Sequence, residues 1–173
     1  MSKLIIVCGL PGSGKTTLAR KISRELNIVC LHKDLIKENL YEIMDGKTLE
    51  DSKRIGKYAA YLMFKLPEEY LSNGVDLILE SPFNFPGDEE KFRDWEKKHN
   101  LNIFTIICSI EKEKRVKRCF DRPRHKAHHD KERNFFSDEN DYNYDLMPGK
   151  KLKINTDGSE ENTLKVALDF LGE

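Results

Sequence analysis

The sequence predicts an α/β fold built on a five-stranded parallel sheet. Five short apolar runs alternate along the chain with segments of helical periodicity. The runs are continuous rather than alternating in polarity, which is typical of strands that helices cover on both faces. With 173 residues the chain can bury a sizeable core, and we expect residues 1–173 to form a single domain.

The predicted elements follow one another in a simple order. Strands are predicted over Lys3 to Cys8, Ile28 to His32, Val75 to Glu80, Leu101 to Ser109 and Leu152 to Thr156. Helices are predicted over Lys15 to Leu26, Asp34 to Tyr41, Leu49 to Ser72, Asp88 to His99, Glu111 to Asp121 and Glu160 to Leu171. Every strand is followed by at least one helix, as the crossover connections of a parallel sheet require.

The composition is that of an ordinary globular protein. Lys and Arg number 30 and Asp and Glu number 30, so nothing overall indicates binding to a nucleic acid or a membrane surface. The apolar runs fall short of the roughly 18 residues of a spanning helix, and the first strand follows Met1 too closely for a signal peptide. We therefore expect a cytoplasmic protein. Its four cysteines are predicted to be buried, reduced thiols, because three of them lie in apolar runs and none has Cys-x-x-Cys spacing.

One long segment, from about 122 to 148, departs from this alternation. It is polar and rich in Arg, His, Asp and Asn, and it is too long to be a mere connection. We interpret it as a lid over a site. Its residues His125, His128, His129 and Asp130 could alternatively hold a structural metal, although no matching Cys/His set occurs elsewhere.

The most specific motif lies between the first strand and the first helix. Residues 9–16 read GLPGSGKT and match G-x-x-x-x-G-K-[ST] in the strand-loop-helix context that this motif requires. Such a loop wraps backbone N–H groups around a phosphate, while the lysine contacts the outer phosphates and the threonine hydroxyl can ligate magnesium. The residues predicted to bind a nucleotide triphosphate are Gly9, Leu10, Pro11, Gly12, Ser13, Gly14, Lys15, Thr16 and Thr17.

The ends of the other strands carry polar residues, and ligands of open parallel sheets bind beyond these ends. Asp34 could accept or orient the proton of an acceptor hydroxyl, or it could only cap a helix. Glu80 could hold a magnesium-bound water, position the substrate, or simply face solvent. Thr156 is predicted to contact the nucleotide, whereas His32 and His99 are interpreted as surface or core histidines.

Arginines are concentrated in and after the fifth predicted helix. Arg115, Arg118 and Arg122 have the spacing of one helical face, and Arg124 follows in the loop. We expect Val116, Cys119 and Phe120 to form the opposing apolar side. Residues 111–133 hold ten Lys and Arg against five Asp and Glu, so the segment either neutralises phosphate charge or is a solvated basic face. The predicted catalytic residues are Lys15, Asp34, Arg118, Arg122 and Arg124, with Arg118 also contacting the nucleotide.

These residues together resemble the small P-loop kinases, especially a bacterial branch of AAA-type ATP-binding proteins related to zeta toxins and to the kinase domain of polynucleotide kinases. The sequence GLPGSGKTTLA at 9–19 is similar to the family's phosphate loop, and Lys33-Asp34 is similar to its substrate-facing aspartate. The sequence LILE at 77–80 resembles its third strand, and the lid resembles R-H-P-G-H-x-D, with Lys126-Ala127 in place of Pro-Gly.

The resemblance implies a three-layer sandwich with sheet order 2-3-1-4-5, ATP and Mg²⁺ as cofactors, and phosphoryl transfer to a hydroxyl. In this interpretation Asp34, Glu80, His125 and His128 contact the acceptor, and Thr16 and Glu80 serve the metal. A small hydroxyl-bearing molecule is the expected acceptor. The alternatives are a polynucleotide 5′-hydroxyl kinase, which the neutral charge disfavours, and a non-enzymatic nucleotide-dependent regulatory domain.

Overall fold

The structure is a computed structural model, and it describes residues 1–129 and 143–172. Its strands are β1 (Lys3–Cys8), β2 (Val29–His32), β3 (Leu77–Glu80), β4 (Asn102–Ser109) and β5 (Lys150–Asn155). Its helices are α1 (Lys15–Leu26), α2 (Lys33–Ile43), α3 (Leu49–Ser72), α4 (Asp88–His99), α5 (Lys112–Asp121) and α6 (Glu160–Gly172). Short 3₁₀ turns occupy Lys126–His128 and Tyr144–Leu146.

The five strands form one sheet in the order β2-β3-β1-β4-β5, and all four strand pairs are parallel. This confirms the predicted fold class and strand order. The carboxyl ends of β1, β2 and β3 reach the same level, because Val7 and His32 are both in register with Glu80. The loops that follow these strands therefore meet at one edge of the sheet.

Side chains of the central strand alternate between two cores, which gives the predicted three layers. On one face Leu4, Ile6 and Cys8 pack with residues of α3 and α4 such as Met63 and Phe92. On the other face Ile5 and Val7 pack with side chains of α1 and α6, which include Leu18, Ile22, Ala167 and Leu171. This alternation follows from the two-residue period of a strand, so a continuous apolar run serves both cores.

The edge strands are less buried than the sequence suggested. Our expectation that all five strands are covered on both faces is wrong for β2 and β5, where Val29, Lys151 and Lys153 are exposed. Each of these strands has a neighbour on only one side, and lysines on an edge strand hinder pairing with another chain.

Helix α3 matters for the site because it forms one wall of a large cavity. It begins with a capping box, in which the Thr48 hydroxyl accepts from the Asp51 backbone N–H and the Asp51 carboxylate accepts from the Thr48 N–H. These bonds satisfy backbone donors that the first turn of a helix leaves unpaired. The carboxylate has a pKa of about 2, mainly because it accepts from the backbone N–H of Lys47 and from the Thr48 hydroxyl and N–H.

The four cysteines are free, as predicted. Burial raises the pKa of the Cys8 thiol, and it raises the pKa values of Cys30 and Cys108 to about 12. In the part of the chain that the structure describes, every helix is too short or too polar to cross a bilayer.

Candidate active site

The loop between β1 and α1 has the backbone of a phosphate cradle. Gly9 and Gly12 have φ values of 135° and 84°, which side chains of L residues rarely permit. A Cβ atom at Gly9 would lie 2.3 Å from the Cys108 carbonyl oxygen, and one at Gly12 would lie 2.5 Å from the Arg115 carbonyl oxygen. The glycines are therefore required by the close packing of the loop against β4 and α5.

Side chains from α5 and from the end of β5 hold this loop by its carbonyl groups. The Arg115 Nη1 donates to the Pro11 oxygen at 3.2 Å, and the Thr156 hydroxyl donates to the Ser13 oxygen at 2.8 Å. The buried Ser13 hydroxyl has no hydrogen-bond partner among the described residues. The Arg115 and Thr156 contacts hold the loop backbone in place on its carbonyl side.

The Lys15 side chain extends from the start of α1 toward Glu80 at the end of β3. Its buried Nζ lies 3.4 Å from the Leu10 oxygen and 4.0 Å from Glu80 Oε1. The other carboxylate oxygen of Glu80 lies 3.0 Å from His32 Nδ1, and both side chains are buried. The solvent-facing alternative for Glu80 is thus wrong. Of the two alternatives for His32, the core one is confirmed, because the side chain is buried; its contact with Glu80 was not predicted.

Asp34 lies in the first turn of α2, where the helix macrodipole favours an anion. Asp34 is not the N-cap of this helix, because the N-cap position before Lys33 is occupied by His32. Instead Asp34 Oδ2 accepts from Arg124 Nη2 at 2.7 Å. Burial would raise the pKa of this carboxyl, but His128, Arg124 and Lys15 outweigh burial and lower the pKa to about 2. The carboxyl is still 40% exposed, so a ligand can reach it.

His128 continues this contact and fixes the position of Arg124. Its Nδ1 accepts from Arg124 Nη2 at 2.9 Å, and its Nε2 lies 2.8 Å from Glu38 Oε1. Since the carboxylate can only accept, the proton of a neutral ring lies on Nε2. Burial lowers the pKa of His128 below its usual value of 6.5, and Arg124 acts in the same direction. The structure thus links Asp34, Arg124, His128 and Glu38 in one chain of contacts.

His125 lies apart from that chain. It faces Glu42 at the end of α2, with its Nε2 2.9 Å from Oε1, and it lines neither of the two cavities that flank the loop. The neighbouring His129 ring contacts the Tyr41 hydroxyl at 2.9 Å. Within residues 1–129 and 143–172 no group of three His, Cys, Asp or Glu side chains could hold a metal. Asp130 lies outside the described residues.

The arginines do not share one helical face as predicted. Arg122 follows the last residue of α5 and has extended backbone, with φ −86° and ψ 135°, so the spacing argument does not apply to it. Arg118 donates to the Thr156 oxygen at 3.3 Å and lies 3.9 Å from Asp157. Phe120 is 54% exposed, which contradicts its assignment to the apolar side of the helix.

Two cavities open on either side of the phosphate loop. The α6-side cavity, of about 680 Å³, lies between α1, α5 and α6; of the predicted residues it contains Gly12, Gly14, Thr17, Arg118, Arg122 and Thr156. The α3-side cavity, of about 1100 Å³, lies between α2, α3 and α4; of the predicted residues it contains Pro11, Lys15, Thr16, Asp34, Arg122, Arg124 and His128. Arg122 lines both cavities, so the loop and this arginine separate two binding spaces.

The predicted residues Gly9, Leu10, Ser13 and Glu80 line neither cavity. Gly9 and Ser13 shape the loop, and Leu10 presents a carbonyl to Lys15. Glu80 is tied to His32 and lies near Lys15.

Several solved structures with the same fold are described as kinases, and their sequence identity to this chain is low. A candidate kinase from Chloroflexus aurantiacus has a TM-score of 0.78 and 22% identity, with 99% of this chain and 96% of that chain covered. A sugar kinase from Janibacter sp. has a TM-score of 0.70 and 17% identity, with 99% and 95% covered. The Mycobacterium tuberculosis APS kinase CysC, in complex with AMPPNP and APS, has a TM-score of 0.60 and 15% identity, with 99% and 98% covered.

These structures show that the chain has the P-loop kinase fold. No curated protein sequence matches the chain. A family model described as an AAA domain, AAA_33, matches residues 4–138, which is more than half of the sequence. The chain therefore belongs to the AAA_33 family of AAA domains.

Proposed function

We propose that the protein is an ATP-dependent kinase that transfers the terminal phosphate of ATP to a hydroxyl group of a small molecule. The observation that carries this proposal is the division of the site by the phosphate loop. Gly12, Gly14 and Thr17 face the α6-side cavity, while Lys15 and Thr16 face the α3-side cavity that also holds Asp34. A donor and an acceptor can thus approach the same phosphate from opposite sides.

In this proposal ATP occupies the α6-side cavity and the loop. The cavity, of about 680 Å³, is within the usual range for sites of this ligand size. Its wall includes Arg118, whose guanidinium rests on the Thr156 carbonyl and can stack against a base or contact a phosphate. The buried Lys15 ammonium suits the triphosphate.

Mg²⁺ fits the residues present, and Thr16 and Glu80 are the groups that would hold it. Hydroxyl and carboxylate oxygens are the hard donors that Mg²⁺ prefers, and magnesium sites usually take few protein ligands besides water and phosphates. Bound there, the ion would neutralise charge on the phosphates.

The transfer step breaks the bond between the terminal phosphorus and the bridging oxygen, so ADP leaves, and forms a bond from phosphorus to the acceptor oxygen. Asp34 orients the acceptor hydroxyl and takes its proton on the way to solvent. Because the pKa of Asp34 is about 2, its main contribution is a fixed hydrogen-bond acceptor rather than strong basicity. Lys15, Arg122 and Arg124 stabilise the charge of the transferring phosphoryl group.

We further propose that residues 122–148 act as a lid. The described flank of this segment packs on α2 and α3: Ala127 is buried, and its carbonyl oxygen accepts from the Ser52 hydroxyl at 2.6 Å. This anchorage places Arg122 and Arg124 beside the cavities, while residues 130–142 lie outside the described part of the chain.

The test is ATP turnover in the presence of pooled hydroxyl-bearing compounds, including sugars, aminoglycosides, nucleosides and oligonucleotides. A pool that speeds ADP release, with the phosphate recovered as an ester of one component, would support the kinase. ATP binding without stimulation by any pool would instead favour a regulatory nucleotide-binding domain, and labelling of oligonucleotides alone would favour the polynucleotide kinase.

A further inference from the structure

The α3-side cavity is strongly basic although the chain as a whole has no net charge. Eight lysines and two arginines line it, against four carboxylates. Like charges gathered around one cavity repel one another and destabilise the folded protein. The stability of the fold therefore does not explain why these lysines lie together. Lys15, Arg122 and Arg124 are assigned above to the phosphates of ATP, and the other seven lysines still outnumber the four carboxylates by three. This remaining excess of positive charge is explained if the cavity takes a second, negatively charged ligand.

The lysines are positioned by the fold. Lys53 and Lys57 are one turn apart on α3, and in the described part of the chain neither has a carboxylate partner. Lys37 reaches the cavity from α2; its buried Nζ donates to the Ser52 hydroxyl at 2.8 Å. These three ammonium groups form a patch, named here the α3 lysine patch, in the cavity that also contains Asp34.

A glycine in α3 leaves room beside this patch. Gly56 lines the cavity in the interior of the helix, where glycine is less favourable than alanine. Packing does not require glycine there, because a Cβ atom would meet only Lys37 Cε, at an ordinary 3.7 Å. The missing side chain leaves space for a ligand between α2 and α3.

Aromatic rings complete the lining. Phe64 and Trp95 lie in the cavity wall with their centroids 5.6 Å apart. Tyr61 and Phe85 also line it and are 62% and 55% exposed, with the ammonium groups of Lys65 and Lys33 over their rings at 5.7 Å and 6.0 Å. Rings that can stack, next to cations that can pair with phosphates, are the combination that recognises nucleotides.

We infer that the acceptor is a phosphorylated molecule with a planar ring, that is, a nucleotide, either free or as a unit of a short single strand. Its phosphate lies against the α3 lysine patch, its ring against the aromatic side chains, and its hydroxyl at Asp34. This inference rests on the proposed kinase function. A nucleotide is larger than a simple sugar, and its size suits the cavity of about 1100 Å³.

The test is binding of matched probes while Mg²⁺–AMPPNP saturates the donor site. Uridine 3′-monophosphate is compared with uridine, and the dinucleotide UpU is compared with both, by calorimetry. We expect the phosphorylated probes to bind at least about tenfold more tightly than uridine, with a marked loss of affinity as salt is raised. Tighter binding of UpU than of the mononucleotide would indicate that the acceptor is part of a strand. Tighter binding of the mononucleotide would indicate that the acceptor is a free nucleotide.

Variants make the test specific to the cavity. Lys53→Ala combined with Lys57→Ala should remove most of the advantage of the phosphate, whereas Lys97→Ala, an exposed α4 lysine that does not line the cavity, should change affinity by less than about twofold. Gly56→Leu should block all probes while the protein still folds and binds Mg²⁺–AMPPNP. Equal affinity for uridine and its phosphate, or unaltered binding in the double variant, would overturn the inference.

The two proposals fail in different ways. If phosphorylated probes bind but no phosphate from ATP is ever recovered on a hydroxyl, the kinase proposal fails and the ligand class stands. If an uncharged acceptor is phosphorylated efficiently while phosphorylated probes do not bind, the kinase stands and the nucleotide acceptor is rejected.

Discussion

At the scale of single residues, Lys15 should serve the ligand and contribute little to the fold. Its ammonium lies 3.4 Å from one carbonyl and 4.0 Å from one carboxylate, and no apolar cluster depends on it. We expect Lys15→Ala to weaken ATP binding at least about tenfold with little change in thermal stability. Equilibrium titration with a fluorescent ATP analogue measures the affinity; unchanged affinity and turnover would remove the loop from the mechanism.

Asp34 should affect transfer rather than ATP binding. Asp34→Asn keeps the shape of the side chain but removes the charge that pairs with Arg124 and accepts the hydroxyl proton. With an identified acceptor we expect turnover to fall by about 10²–10⁴ while ATP affinity stays within a few-fold. Because the pKa of Asp34 is about 2, its ionisation should not shape the rate between pH 5 and 8. Full activity of the variant would contradict the assignment.

His128 should make the protein less stable in mild acid. Burial lowers the pKa of this ring, so below pH 6.5 the unfolded chain takes up a proton that the folded protein takes up only at lower pH. The free energy of unfolding should therefore decrease as the pH falls from 6.5. His128→Gln should flatten this decrease, which urea unfolding between pH 7.5 and 5 would reveal. The same slope in both proteins would show that His128 does not cause it.

At the scale of elements, the lid can be tested by hydrogen exchange. If residues 122–148 close over bound substrates, ATP analogue and acceptor together should increase amide protection in this segment, since closure excludes water from the site. Arg122→Lys and Arg124→Lys should not restore the turnover that alanine variants lose, because an ammonium cannot form a two-pronged contact with phosphate. Equal protection with and without ligands would make the segment a fixed arm, and the catalytic role of its arginines would be withdrawn.

Features of the site that have a local signal in the sequence could be predicted, whereas contacts between distant elements could not. The positions of the phosphate loop and of Asp34 in the fold were predictable because their signals are local: a motif, or a polar residue at the end of an apolar run. The contact of His32 with Glu80 depends on the pairing of β2 with β3, and the sequence of one strand does not show which other strand it pairs with. The position of Arg122 had a local signal that our helix-face argument ignored: Pro123 follows it, and a residue before proline is pushed out of helical conformation.

The positive charge of the α3-side cavity could be recognised only in the tertiary structure. Its lysines come from α2, α3 and α4 as well as the phosphate loop, and none of these three helices holds more Lys and Arg than Asp and Glu. A balance of 30 positive and 30 negative residues over the whole chain disfavoured an acceptor rich in phosphate, yet the fold collects six more cations than anions around one space. The distribution of charge in space, rather than its total, is what a bound anion meets.

At the scale of the whole molecule, nucleotide binding should stabilise the fold. The phosphate loop is held by β4, β5 and α5, so a ligand that binds the loop binds only the folded chain. At a concentration about 100 times its dissociation constant, Mg²⁺–AMPPNP should add about 2.7 kcal/mol to the free energy of unfolding. For a chain of 173 residues this corresponds to a rise in melting temperature of about 5–10 °C. Differential scanning calorimetry measures the shift, and Lys15→Ala, scanned at the same concentration, is the control that should lose most of it. A wild-type melting temperature that does not respond to nucleotide would mean that the loop binds no nucleotide, and the proposed kinase would have to be abandoned.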